Sequence, residues 1–151
     1  MRSRIDGAAR AAVVVTEFDR PAEAVWSLFS DPLALARWWG PPGMPMAVEH
    51  HDLRPGGRVE ITVQTPAGEV RGRWTVHEVV PPHLLRFTFT SDGLDVTEIT
   101  VEISDAGGSR TAMEVTAHFT SEEAMRHAVH IGFVEGLARS CATAHDVTGV
   151  M

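Results

Sequence analysis

Between Met46 and Phe119 the chain alternates apolar and polar residues in short runs separated by turn signals, and no other feature limits the fold as much. Arg58 to Thr65 shows the pattern most cleanly. Val59, Ile61 and Val63 share one face, and Glu60, Thr62 and Gln64 share the other, as in a half-buried antiparallel strand. The same reading predicts strands over Met46–Leu53, over Glu69–Val80 with Val70, Trp74 and Val76 in phase, and around Leu85, Phe87 and Phe89. Two more follow, around Ile99, Val101 and Ile103 and from Met113 to Phe119. The breaks between them (Arg54-Pro55-Gly56-Gly57, Pro66-Ala67-Gly68, Pro81-Pro82, Ser91-Asp92-Gly93 and a Gly-Gly turn after Asp105) are spaced for hairpins. With the valine-rich segment Ala12–Phe18 as an earlier strand, the expectation is one seven-stranded antiparallel sheet.

Helical signals flank this run. Pro21 opens a first short helix with Glu23 in its first turn and Val25, Leu28 and Phe29 on its apolar face, Trp26 beside them. Pro32 ends it, because the residue before a proline leaves the helical region. Asp31 then caps a second short helix in which Leu35, Trp38 and Trp39 fall at i, i+3 and i+4, with Gly40 and Pro41-Pro42 as the stop. Adjacent tryptophans cannot point the same way, so one of them leaves this helix for a hollow. Both are either core aromatics or the lip of an apolar pocket.

A last, long helix is predicted from Thr120-Ser121-Glu122-Glu123 to about Thr143 or a little beyond, with Gly149 outside it. Val129, Phe133, Leu137 and Ala144 lie on one broad face, which also carries Gly132, Gly136 and Ser140; Ile131, Val134, Ala138 and Cys141 lie nearly opposite. A helix apolar on two sides is packed on two sides, here on the sheet and on either the short helices or a second protomer, so a homodimer through the Val134–Cys141 strip is an open expectation. A sheet with one long cover wraps around it. The predicted class is therefore α+β: two short helices after the first strand and a seven-stranded sheet gripping a C-terminal helix. Residues 1–11 read as a flexible arm and 12–151 as one domain.

Composition removes several functions. The chain has 151 residues and a net charge of −7, and its arginines are scattered, which argues against nucleic acid and anionic membrane as partners. Lysine, tyrosine and asparagine are absent, so Schiff-base chemistry, a tyrosine oxyanion donor and a Gly-Lys-Ser/Thr phosphate loop are excluded. A single cysteine, no signal-peptide pattern and no bilayer-length apolar run point to a cytoplasmic protein.

Several short motifs occur in a family-like order. Phe18-Asp19 before Pro21, Val25-Trp26, and Asp31-Pro32 with Trp38-Trp39-Gly40 resemble the opening of the START-like helix-grip superfamily. Within it, the match is to the branch named after the activator of the heat-shock-protein-90 ATPase. Asp52-Leu53-Arg54-Pro55-Gly56-Gly57, Glu78-Val79-Val80-Pro81-Pro82 with Leu85 and Phe87, and Gly132-Phe133 with Gly136-Leu137 are similar to its later signatures, although the family more often has Trp where Phe133 stands. The resemblance covers about residues 12–145. It implies a cavity between sheet and long helix that takes an apolar small molecule, on a fold that also hosts lipid carriers, cyclases, hydrolases and co-chaperones. The chaperone activator that names the branch has a further domain that meets the chaperone, and this chain is expected to be too short to carry one.

The residues add to that picture independently. Gly132, Gly136 and Ser140 remove side-chain volume from the helix face opposite the sheet, which fits either close helix–sheet packing or a hollow left for a ligand. If Leu53 points inward, alternation turns His51 and Glu49 inward too, as a candidate acid–base pair. A register shifted by one instead sends them to solvent and turns Val48 and His50 in. Glu123, His127 and His130 share a helix strip but lack a fourth ligand, so no metal is expected. Cys141 reads as a packed thiol. The leading expectation is binding of an apolar or amphipathic small molecule, without a cofactor, by Trp38, Trp39, Val59, Ile61, Trp74, Phe87, Phe89, Phe133 and Leu137, with Glu49 and His51 as polar candidates. The alternatives are a cyclase- or hydrolase-type enzyme in the same cavity, with His51 as base and Glu49 as its orienter, and a co-chaperone or regulatory partner.

Overall fold

In chain order the elements are β1 (Arg2–Asp6), β2 (Ala11–Phe18), α1 (Ala22–Ser30), α2 (Pro32–Trp38), β3 (Met46–His51), β4 (Arg58–Thr65), β5 (Gly68–Val80), β6 (Leu84–Ser91), β7 (Leu94–Gly107), β8 (Arg110–Phe119), α3 (Glu122–His130) and α4 (Phe133–Gly149). This computed structural model describes residues 1–40 and 43–149, the last two of them by backbone alone. The Pro41-Pro42 stop of the second short helix lies outside the described residues. The strands form one antiparallel sheet in the order β1-β2-β8-β7-β6-β5-β4-β3, and most inward residues of the strands from β4 to β8 are buried. α4 packs across β2 and α2, and α2 in turn rests on β3. This is the helix-grip arrangement. No helix among the described residues is long and apolar enough to cross a membrane.

Two features differ from the sequence expectation. The sheet has eight strands rather than seven. The additional one is β1, inside the segment read as a flexible arm, paired from Arg2 opposite Val15 to Asp6 opposite Ala11. It is an edge strand with its side chains largely in solvent, so it carries no alternation of burial for sequence reading to find. The turn behind it closes on an Asp6 carboxylate oxygen that accepts the Ala9 N–H at 3.1 Å.

The predicted single C-terminal helix is two helices, and the second includes Gly149, which was expected to lie outside it. Gly132 has φ +85°, a left-handed conformation that costs glycine little and ends α3. Its N–H donates to the Val129 carbonyl at 3.1 Å, while its own carbonyl accepts the Gly136 N–H at 2.8 Å and so starts α4. The break turns the residues before it off the predicted face: Val129 and Ile131 are exposed, whereas Leu137, Cys141 and Ala144 are buried. Val134 and Ala138 of the opposite strip are half-buried against the protomer's own core.

The junction of α1 and α2 follows from backbone hydrogen-bond accounting. A helix leaves its last carbonyls without helical donors. The residue four beyond Leu28 is Pro32, which has no N–H, and the residue four beyond Phe29 is Leu33, whose N–H is taken by the Asp31 side chain at 3.0 Å. Two side chains from elsewhere fill the gap. The Trp38 indole Nε1–H donates to the Leu28 carbonyl at 2.8 Å, and the His51 ring Nε2 reaches the Phe29 carbonyl at 2.8 Å. A Trp38→Phe substitution keeps an aromatic ring but leaves the buried Leu28 carbonyl unsatisfied. It is expected to lower the unfolding free energy by about 1–3 kcal/mol in urea titrations, beside the smaller ring's own packing loss.

Candidate functional site

A cavity of about 320 Å³ lies between the sheet and α4. Ile61 and Val63 of β4, Val70 and Gly72 of β5, and Phe89 of β6 form its floor, and Phe133, Gly136, Leu137 and Ser140 of α4 form its roof. Trp39, Gly40, Thr65, Ser91, Asp92, Leu94 and Ile131 complete the lining; Asp92 and Ile131 are exposed and mark where the cavity opens. Its lining is mainly apolar, as small-molecule sites are.

Two glycines on opposite walls do different things. A Cβ built on Gly136 would meet nothing within 4 Å. The small residues of α4 therefore face empty space at this point, which decides between close packing and a hollow. A Cβ on Gly72 would approach Ile61 at 3.0 Å and Phe89 at 3.1 Å. There the missing side chain lets two floor residues lie flat beside the strand, one of the reasons glycine occurs inside strands. Ser140 does not point a free hydroxyl at a ligand: its Oγ donates to the Gly40 carbonyl at 2.8 Å and ties α4 to the end of α2.

The two adjacent tryptophans divide as their geometry requires. Trp38 turns back over α1, edge-on to Phe29 with ring centroids 5.1 Å apart. Trp39 has left the helix for an extended backbone (φ −76°, ψ 136°). Its ring meets Trp74 at 5.0 Å, Phe89 at 5.9 Å and Phe87 at 6.1 Å. Both are buried, and Trp39 also forms the cavity wall.

Of the residues named from sequence, the structure brings Trp39, Ile61, Phe89, Phe133 and Leu137 together around the cavity. Trp38, Val59, Trp74 and Phe87 lie in the solid core beside it. Trp74 and Phe87 stack at 3.9 Å, leaving no gap between them. Val63 and Val70 line the cavity and were missed, although each continues an alternation visible in sequence; the isolated Gly72 between two arginines was a signal of close approach. The rim residues Thr65, Ser91, Asp92 and Leu94 belong to turns, whose direction periodicity does not give.

The polar pair is corrected. β3 has a bulge between Val48 and His50: Val48 pairs with Ile61 and His50 with Glu60, leaving Glu49 unpaired. The extra residue breaks the alternation, so neither simple register holds. Glu49 is exposed and accepts from the Thr62 hydroxyl at 3.0 Å. His51 turns inward but ends on the Phe29 carbonyl. Neither lines the cavity, and they do not form an acid–base pair.

Other candidates have structural roles. His127 Nε2 meets the Gly93 carbonyl at 3.0 Å, joining α3 to the β6–β7 hairpin; among the described residues, Glu123, His127 and His130 are not gathered into a metal-binding group. Glu49, Glu60, Glu69, Arg71, Arg73 and Asp92 line a broader trough of about 550 Å³ on the outer face of the sheet. Its two arginines are paired, Arg71 with Glu69 at 3.1 Å and Arg73 with Glu60 at 3.4 Å. Burial pushes the Cys141 thiol up to about 12, an effect that the neighbouring Thr16 side chain lessens.

Comparison with known proteins gives a consistent answer. The sequence profile of the family described as "Activator of Hsp90 ATPase homolog 1-like protein" matches residues 19–143. A protein from Arthrobacter aurescens, solved in solution by NMR, is 30% identical, with 99% of this chain and 92% of that chain covered and a TM-score of 0.93. A crystal structure of a protein from Mycobacterium smegmatis is 26% identical over 97% of this chain and 95% of that one, with a TM-score of 0.87. The AHSA1 protein of Silicibacter pomeroyi shares the fold at 20% identity, covering 93% and 98% of the two chains with a TM-score of 0.72. No curated protein matches the chain.

Two tests follow from the walls. Gly136→Ala is expected to leave stability unchanged or raise it by up to about 1 kcal/mol, through helix propensity alone. Gly72→Ala is expected to lower it by about 1–3 kcal/mol through overpacking; thermal unfolding of both variants gives the comparison. The Cys141 thiol is expected to ignore a thiol reagent at pH 8 in the native protein and react once denaturant is added. Because its folded pKa lies above its usual 9.0, the unfolded state loses this proton first. The thiol's contribution is complete below pH 9 and lost as pH rises toward about 12, which urea titrations over that range would measure.

Proposed function

The chain belongs to the Activator of Hsp90 ATPase homolog 1-like family, and from that premise we propose that it binds a small apolar or amphipathic molecule in the cavity between β4–β6 and α4. The observation that carries this reading is the unfilled space opposite Gly136. A well-packed interior leaves few voids larger than a water, and a void lined by Trp39, Phe89, Phe133 and Leu137 loses dispersion contacts that a ligand would restore. At the ~30 Å³ that one water occupies in the liquid, the cavity's volume of about 320 Å³ accommodates a ligand body of about ten non-hydrogen atoms. Micromolar binding corresponds to about −8 kcal/mol, within the range of about 0.3–1.5 kcal/mol per ligand atom available to small ligands.

Catalysis in the cavity has less support. The acid and base it was expected to use are engaged elsewhere, Glu49 at Thr62 and His51 at the end of α1.

Native mass spectrometry of freshly purified protein tests the reading. The wild type is expected to carry extra mass of small-molecule size that disappears on denaturation, or to take up apolar compounds with a rise in melting temperature. Gly136→Leu, which fills the hollow with a good helix former, is expected to fold and to lose both effects. A bare wild-type chain that no apolar compound stabilises would contradict the proposal.

A further inference from the structure

We infer that the cavity discriminates by head group, taking amphiphiles with a cationic or hydrogen-bond-donating head seated at Asp92 and rejecting those with a carboxylate. The inference rests on the binding role proposed above and adds the class of ligand.

The hydroxyls of Ser140 and Thr65 are already engaged, whereas that of Ser91, also in the lining, makes no hydrogen bond among the described residues. Ser140 donates to the Gly40 carbonyl. At the rim, Thr65 donates to the Gly68 carbonyl at 2.7 Å and accepts the Ala67 N–H at 3.2 Å. Asp92 differs from both. One carboxylate oxygen accepts the Arg71 N–H at 3.1 Å, and the other has no protein partner among the described residues. Asp92 lies at the opening, next to Ser91 and across from Ile131, so a molecule whose apolar body fills the cavity leaves its head beside this carboxylate.

No positive group lines the cavity itself: the chain contains no lysine, and the two arginines that share the outer trough with Asp92, Arg71 and Arg73, are paired there with Glu69 and Glu60. The neighbouring Arg71 guanidinium is held by Glu69 at 3.1 Å, Arg126 faces Glu122 at 3.8 Å, and Arg139 is held by Glu135. His127, on the helix beside the opening, is bound through Nε2 to the Gly93 carbonyl. An anionic head would therefore lose water against a like charge with no counterion, whereas an ammonium or hydroxyl head finds an acceptor. This is selection by repulsion as well as attraction.

Calorimetric titration with decylammonium, decanoate and decanol tests the inference, below their micelle-forming concentrations and near physiological salt. At that ionic strength charges more than ~8 Å away are largely screened, so the protein's overall charge contributes little. Decylammonium is expected to bind about five- to tenfold tighter than decanoate, the product of a modest attraction and a modest repulsion at an exposed carboxylate. Asp92→Asn keeps an acceptor for the Arg71 N–H, and its fold is checked by an unchanged melting temperature. In that variant the ratio is expected to fall to about twofold or less. Decanoate binding as tightly as decylammonium, or a ratio that survives Asp92→Asn, would overturn the inference while leaving the binding role intact. Failure of all three compounds to bind a wild type whose native mass shows no bound ligand would overturn the binding role itself.

Discussion

The site depends on how the end of α1 is satisfied. Pro32 removes the N–H that the Leu28 carbonyl would use, and the Asp31 side chain takes the next one to cap α2. A buried helix end without donors is costly, and this one is completed by Trp38 from α2 and His51 from β3. Those two bonds fix the angle between the short helices and attach both to the sheet. They also decide what Trp39 does: with Trp38 committed to α1, the next side chain must leave in another direction, and it falls onto Trp74, Phe87 and Phe89. His51, which looked like a base in the sequence, is better understood as a helix-terminal donor.

The interior then divides into a filled half and an open half. On the filled side, Trp74 lies flat on Phe87 and both are sealed by Trp39 and Phe29. On the open side, β4 and β5 supply side chains no larger than isoleucine, and α4 supplies glycine and serine between Phe133 and Leu137. Phe89 and Phe133, with centroids 6.1 Å apart and rings nearly parallel, border both halves. The contrast between Gly72, whose neighbours crowd it, and Gly136, whose neighbours are absent, shows that one residue type serves packing on one wall and emptiness on the other. The fold alone does not assign a function; this particular hollow is what supports binding.

How far the sequence could be read follows from which physical signals are periodic. β4 was legible because one face is buried along its length, and Ile61 and Val63 reach the cavity from that same face. The helix face carrying Phe133 and Leu137 was legible for the same reason. β3 was not, because its single bulge at Glu49 moves His51 out of phase with Val48, and no residue type announces a bulge. β1 was not, because an exposed edge strand has no buried face to alternate. The division of the last helix was available in principle: Gly132 stands in the middle of a helical pattern, where glycine is either tolerated at a cost or a stop, and only the backbone conformation tells which. Whether Gly136 meant close packing or open space depended on the distance between α4 and the sheet, which is a property of the assembled core rather than of any one segment.

The most direct measurement of the central claim is a crystal structure determined under xenon pressure. Apolar cavities of this kind take up xenon when they are empty and accessible. The account predicts xenon, or an already bound apolar molecule, in the space bounded by Trp39, Phe89, Phe133 and Gly136. Side chains occupying that space, with no xenon and no ligand between α4 and the sheet, would contradict it.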